Sequence, residues 1–206
     1  DILSIVDVDV GVLDGHVRGS IALSGDPTAL DGDVVLQLQS VDLLGERFAS
    51  GELYSWMDGG RATVEAFSLT RRNGEEGVLV RGTIGEGWAT NLDVIATGFR
   101  IRRLDALRRW DLPVQGKLTI DGRLGGTLMA PQPHGRVAIR DSWFAGHAVP
   151  DSTIFFDTFG GVMQLEGHLL GRGMSFEGHI EMGPKGKYRG VAQLDRFPLH
   201  TVLPAA

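Results

Sequence analysis

The chain has 206 residues, a formal net charge of −6 and a pI near 5.5, a balance that speaks against a nucleic-acid binder, which presents a basic face. It has no cysteine, which excludes a disulfide framework and a thiolate metal site. Glycine stands at 30 residues, about twice the usual share, and punctuates short apolar runs throughout, as in a protein of many strands and turns.

The N-terminal Asp1-Ile2-Leu3-Ser4 lacks the basic start and apolar core of a signal peptide. It begins as if in mid-strand, so the chain is expected to be a piece of a longer protein. No stretch approaches the roughly 18 consecutive apolar residues of a membrane-spanning helix.

Period-2 alternation then runs along the chain. Val6, Val8, Val10 and Val12 alternate with Asp7, Asp9 and Gly11. Val17, Ile21 and Leu23 share one face, and His16, Arg18, Ser20 and Ala22 the other. Asp58-Gly59-Gly60 is a turn, and Arg72-Asn73-Gly74-Glu75 is the strongest two-residue hairpin signal, because Asn and Gly tolerate positive φ. One stretch reads as helix: Ile101, Leu104, Leu107 and Trp110 recur at three-residue steps and Asp111-Leu112-Pro113 closes the run. From Gly116, Leu118, Ile120, Leu124 and Leu128 point one way, and Lys117, Thr119, Asp121, Arg123 and Thr127 the other. Val137 and Ile139 continue the scheme, as do Met163, Leu165 and Leu169, then Met174, Phe176, Ile180 and Met182. Gly160-Gly161, Gly171-Arg172-Gly173 and Gly183-Pro184-Lys185-Gly186 break these runs. The expected fold is all-β, a half-buried antiparallel sheet.

The chain also repeats itself. Leu13 to Val34 resembles Val114 to Val137, and Gly98-Phe99-Arg100 near the end of the first unit answers Arg196-Phe197-Pro198 in the second. Two β units are expected, 1–110 closed by the short helix and 111–206, stacked into an elongated body. Two readings of the apolar phase stand side by side. It packs against a second sheet or itself as an ordinary core, or it curls into an open trough. For the trough speak the strict one-sided alternation, the near absence of capping helices, and an inner phase without a recurring polar group. Acyl chains suit such a wall, at about 0.8 kcal/mol per CH₂ transferred from water.

The segment Val114 to Val137 resembles the repeated segment of the TamB family, AsmA-like subunits of the bacterial translocation and assembly module. The family's Gly-x-apolar-x-Gly-x-apolar strand, Gly-Thr turn, Pro and Gly-x-Val are matched by Gly116, Leu118, Gly122, Leu124, Gly126, Thr127, Pro131, Gly135 and Val137. Leu194-Asp195-Arg196-Phe197-Pro198-Leu199 is similar to the family's Asp-apolar-Pro-Leu segment, whereas Asp26-Pro27 in the first unit comes earlier than the family's Pro. The resemblance implies a β-taco, a long sheet folded around an apolar groove. It implies the periplasmic part of a protein anchored in the inner membrane, conducting phospholipid or other acyl chains between the two membranes. It also implies a role in outer-membrane protein assembly with an Omp85-type partner, and no catalytic residues. The residues expected to line the groove are Val17, Ile21, Leu23, Val34, Leu36, Val80, Leu118, Ile120, Leu124, Leu128, Val137, Ile139, Met163, Leu165, Leu169, Phe176 and Ile180. The rival is a structural or adhesive β-solenoid with a closed, dry core.

Residues that carry other chemistry are few. Glu166-Gly167-His168 and Glu177-Gly178-His179 echo each other, and a register placing His168 opposite Glu177 and Glu166 opposite His179 would offer zinc ligands. A solvated face with cross-strand charge pairs explains them as well, and no metal or cofactor is expected. Asp26, Asp31 and Asp33 read as turn formers rather than a calcium site. Neither Gly-x-Ser-x-Gly nor a phosphate-cradling Gly-x-x-x-x-Gly-Lys-Ser/Thr occurs, and no enzyme activity is expected. Arg100, Arg102, Arg103, Arg108 and Arg109 form either a solvated helix face or a contact for lipid head groups or an acidic partner. Trp56, Trp88, Trp110 and Trp143 mark either core positions or the lip of the trough.

Overall fold

A computed structural model describes residues 6–7, 13–26, 29–43, 45–105, 114–144, 146–169, 171, 173–181 and 188–194. Within them the chain is all-β. The strands are β1 (Val6–Asp7), β2 (Leu13–Asp26), β3 (Ala29–Leu43), β4 (Glu46–Asp58), β5 (Arg61–Thr70), β6 (Gly77–Ile84) and β7 (Thr90–Arg100). They continue as β8 (Val114–Gly126), β9 (Pro131–Phe144), β10 (His147–Ala148), β11 (Ser152–Phe159), β12 (Val162–Leu169), β13 (Met174–Glu181) and β14 (Tyr188–Leu194). Each hydrogen-bonds its neighbour in the sequence, except that β10 is a short branch on β9, which pairs onward with β11.

The expected turns differ in size. Gly59-Gly60 and Gly160-Gly161 are two-residue hairpin loops, closing Asp58↔Arg61 and Phe159↔Val162. All four glycines have φ between 54° and 80°, which an L side chain resists and glycine adopts freely. Arg72-Asn73-Gly74-Glu75 is a hairpin loop as well, but of four residues: Arg71 N–H donates to the Glu76 carbonyl at 2.8 Å and closes it. The loop is longer than the two residues expected: within it the Gly74 N–H donates to the Arg71 carbonyl at 2.9 Å, a turn of its own. Of the helix expected from Ile101, the described residues show a 3₁₀ turn over Ile101–Arg103, an extended Leu104 at ψ 113° and a helical Asp105. Residues 106–113 lie outside the described residues, as do Val8, Val10, Val12, Met182 and the closing Asp195 to Leu199 motif.

By internal compactness the chain divides into two units. One comprises Asp1–Thr97 with Leu124–Pro131, the other Gly98–Arg123 with Gln132–Ala206. The sequence repeat is also a repeat of backbone geometry. Gly15 and Gly116 both have φ 153°, Ser40 and Asp141 have φ 53° and 52°, and Gly45 and Gly146 have φ 83° and 85°. With the two Gly-Gly turns, every pair is offset by 101 residues. In the first unit the register slips where Ser40 and Val41 together oppose Gly15, a β-bulge. A Cβ on Gly15 would lie 3.1 Å from the Val41 Cα, so glycine makes room for the bulge.

The bulge reverses the in–out alternation of β3. Leu38 is buried before it and Val41 after it, the latter paired with Phe48 on β4. These side chains with Leu69 and Ala96 form the closed end of the first unit's core. The same end holds an ionic cluster. The Arg71 guanidinium donates to the Glu46 carboxylate, pairs with Glu76 at 3.1 Å and stacks over Phe48 at 5.8 Å. Glu76 is fully enclosed, and the other two ionic side chains are at most 15% exposed.

Candidate functional site

In the first unit the register superposes one phase of six strands onto one face. Val17, Gly19, Ile21 and Leu23 of β2 stand opposite Leu38, Leu36, Val34 and Gly32 of β3. Those stand opposite Gly51, Leu53, Ser55 and Met57 of β4, followed by Leu69, Phe67, Val64 and Ala62 of β5. The face continues with Val78, Val80, Gly82 and Ile84 of β6, and ends with Ala96, Val94, Leu92 and Thr90 of β7. Ser55 and Thr90 alone interrupt it, and both are satisfied: Ser55 Oγ donates to the Thr63 carbonyl at 2.9 Å and Thr90 Oγ1 to that of Gly125 at 3.0 Å. A bulge at Glu65 keeps Val64 and Phe67 on this face despite their odd spacing.

Burial is uneven across this face: Leu38 on β3 is 5% exposed and Val17 on β2 is half-buried. Leu69, Leu92 and Ala96, from β5 and β7, are at most 7% exposed, whereas Ile21 and Leu23 on β2 are 62% and 42% exposed. Val34, Leu36 and Val80 fall between. An apolar face in a closed core is buried throughout; this one is open at Ile21 and Leu23 of β2.

In the second unit β9 to β14 repeat the pattern. Ile139, Val137 and Gly135 face Ser152, Ile154 and Phe156; Ile154, Phe156 and Thr158 face Gly167, Leu165 and Met163. Phe176, Gly178 and Ile180 follow on β13. Here glycine makes space rather than turns. A Cβ on Gly122 or Gly135 would lie 3.1 or 3.0 Å from the Phe156 ring, which fills the notch they leave. Leu118 and Ile120 on β8, Val137, Ile139, Met163, Leu165, Leu169, Phe176 and Ile180 are all half-buried.

Leu124 and Leu128 belong to the first compact unit. Leu124 is half-buried near the end of β8, and Leu128 lies beyond it, in the turn Thr127–Ala130. The Leu128 N–H donates to the Trp88 carbonyl, and Trp88, Leu128 and Met129 are 66%, 44% and 90% exposed. None of the seventeen residues expected to line a groove is buried. The described tryptophans are not core residues either: Trp56 and Trp143 are 39% and 47% exposed. Trp110 lies outside the described residues.

The register that would offer zinc ligands at the Glu-Gly-His echo is not the one formed. Glu166 stands opposite Glu177, His179 opposite Gln164 and His168 opposite Ser175. The hairpin between Leu169 and Met174 sets the ladder two residues away from the imidazole–carboxylate pairing, so these groups are diagonal neighbours. Among the described residues, no three His, Asp or Glu are grouped closely enough to hold a metal ion. Asp31 and Asp33, expected in a turn, lie within β3, and Asp26 ends β2; Asp31 accepts the Gly59 N–H of the β4–β5 turn at 2.7 Å.

Sequence reasoning missed much of the face: Leu38, Leu53, Met57, Val64, Phe67, Leu69, Val78, Leu92 and Val94. Their strands carry apolar residues on both phases, as in Val34-Val35-Leu36 and Val78-Leu79-Val80, so alternation alone does not assign a side. Cross-strand register does.

Comparison with family models, with curated proteins and with solved structures finds no match.

Proposed function

We propose that this chain is a lipid-handling segment whose apolar face, folded lengthwise as a taco-like trough, takes up acyl chains. The observation that supports it most is the combination of a continuous apolar face with incomplete burial. Twenty-two of the twenty-four paired positions in the first unit are aliphatic, aromatic or glycine, yet Ile21 and Leu23 on it are exposed. Such a surface without a partner carries a hydration cost, and an acyl chain laid along it relieves that cost at about 0.8 kcal/mol per methylene. The face offers no ordered array of polar groups for chemistry, so the function is carriage rather than catalysis.

The same reading extends the resemblance to the TamB family. The whole protein would then be anchored in the inner membrane and extend into the periplasm, passing phospholipid toward the outer membrane or assisting outer-membrane protein assembly with an Omp85-type partner. The test is native mass spectrometry of the purified chain, with analysis of co-purifying lipid. Phospholipid at defined stoichiometry, lost in a folded Ile120→Glu variant, is the expected result. A lipid-free native chain that does not take up added phospholipid, with an Ile120→Glu variant that unfolds, would establish the closed β-solenoid instead.

A further inference from the structure

The second unit contains a cavity of about 370 Å³ whose wall carries four cations, Arg100, Arg102, Arg103 and Lys117, against one carboxylate, Asp141. This concentration of positive charge stands out in a chain of net charge −6. Lys117 Nζ pairs with Asp141 at 2.9 Å, and its side chain is 56% exposed. Trp143, 47% exposed, forms part of the same wall.

The fold itself does not demand these groups, and the internal repeat shows why. At the 101-residue offset, Gln115, Lys117, Asp141 and Trp143 correspond to Asp14, His16, Ser40 and Asp42. The first unit reaches the same backbone angles at Gly15 and Ser40 with acidic and neutral residues around them. The second unit therefore carries Lys117 and Trp143 for something other than backbone geometry. Arg100, Arg102 and Arg103 arrive from the end of β7 and the 3₁₀ turn after it, so segments more than ten residues apart in sequence converge on the cavity.

We propose that this cavity binds a phosphate group, carried either by a phospholipid head group or by a free phosphate ester. Guanidinium and ammonium donors are the natural partners of phosphate oxygens, and Arg offers them in a planar fork. The volume lies at the small end of ligand pockets, which run from about 300 to 1,000 Å³, enough for a glycerophosphate and too little for acyl chains as well. Trp143 supplies the amphipathic ring that suits a head-group boundary. The head-group source rests on the acyl-chain reading above; phosphate binding does not.

Arg100 and Arg103 are engaged within the chain, so the test uses exposed Arg102 and Lys117. Isothermal titration calorimetry is run on the whole chain with sn-glycerol 3-phosphate, with dihexanoylphosphatidylglycerol, and with uncharged dihexanoylglycerol. The Arg102→Glu/Lys117→Glu variant is expected to weaken the phosphate-bearing lipid at least about tenfold, with circular dichroism and dihexanoylglycerol binding unchanged. Loss of glycerol phosphate binding as well identifies the site as one for phosphate esters in general, whereas an effect on the lipid alone identifies a head-group site. Arg47→Ala, at an 89% exposed side chain outside the cavity, is the control and leaves all three affinities alone. No binding of either phosphate compound, or binding equal in the double variant and the native chain, overturns the proposal. Failure of dihexanoylglycerol to bind counts against the apolar face and not against the cavity.

Discussion

Two glutamates introduced on the same face of the first unit separate an open apolar wall from a closed core. Ile21 and Leu69 lie on one face by register, but Ile21 is 62% exposed and Leu69 only 1%. Full burial of such a side chain is worth about 1.5–3 kcal/mol, and less than half of Ile21 is covered. Ile21→Glu therefore gives up about 1 kcal/mol, and its carboxylate stays hydrated. Leu69→Glu loses the whole transfer term and adds an unpaired buried charge at several kcal/mol. Its total, above about 5 kcal/mol, is comparable with the entire stability of a domain. Urea denaturation followed by circular dichroism reads both: a small midpoint shift for Ile21→Glu, no folded baseline for Leu69→Glu. Acyl binding gives the second readout. If the new carboxylate keeps three methylenes off the wall, affinity falls by about 2.4 kcal/mol, or roughly 50-fold. An Ile21→Glu chain that unfolds as readily as Leu69→Glu refutes the opening of the face at Ile21. One that stays folded with undiminished binding of dihexanoylglycerol refutes the wall as the acyl site.

Three further outcomes are expected. Arg71→Met leaves Glu46 and the fully enclosed Glu76 without their shared cation and lowers stability by about 3–5 kcal/mol; adding Glu76→Gln recovers part of the loss in a double-mutant cycle. Gly32→Ala would set a Cβ 1.9 Å from the Ala22 carbonyl oxygen at φ 141°. Hydrogen exchange should show β2 amides losing protection while those of β5 and β6 keep theirs. Gly161→Ala, at φ 78° in a two-residue turn with open space around it, costs only the left-handed strain of about 1–2 kcal/mol, measured as a lower unfolding midpoint with the hairpin preserved.

How much of this was legible in the sequence depends on the kind of signal. Where one phase is apolar and the other polar, as from Leu118 to Leu124 or Met163 to Leu169, alternation assigned the face and the Gly-Gly pairs located the turns. It failed where the ladder changes step. The bulge opposite Gly15 moves burial from Leu38 to Val41, and Glu65 shifts Phe67 by one position; neither residue type announces a bulge. Register across Leu169 to Met174 was equally hidden, because it follows from loop geometry, and the ladder stands two residues away from the conceivable His–Glu pairing. The basic cavity was half legible. The arginine cluster is plain in sequence, but its meeting with Lys117 and Trp143 arises only when β8 and β9 come alongside. The buried Arg71–Glu76 pair gave no sequence signal, since charges around a turn ordinarily face solvent.

That each main strand hydrogen-bonds the ones next to it in the chain also decides how the protein yields to pulling. A load applied between the two ends of any hairpin, such as β4–β5 or β11–β12, opens the ladder from its free end, breaking one pair of hydrogen bonds at a time. Strands loaded in shear must instead break many bonds together. Peeling should therefore proceed at low force and in short steps, with brief stops where a bulge or the buried ion cluster interrupts the run. A chain with this wiring can lose an outer strand and regain it without surrendering the rest of its sheet.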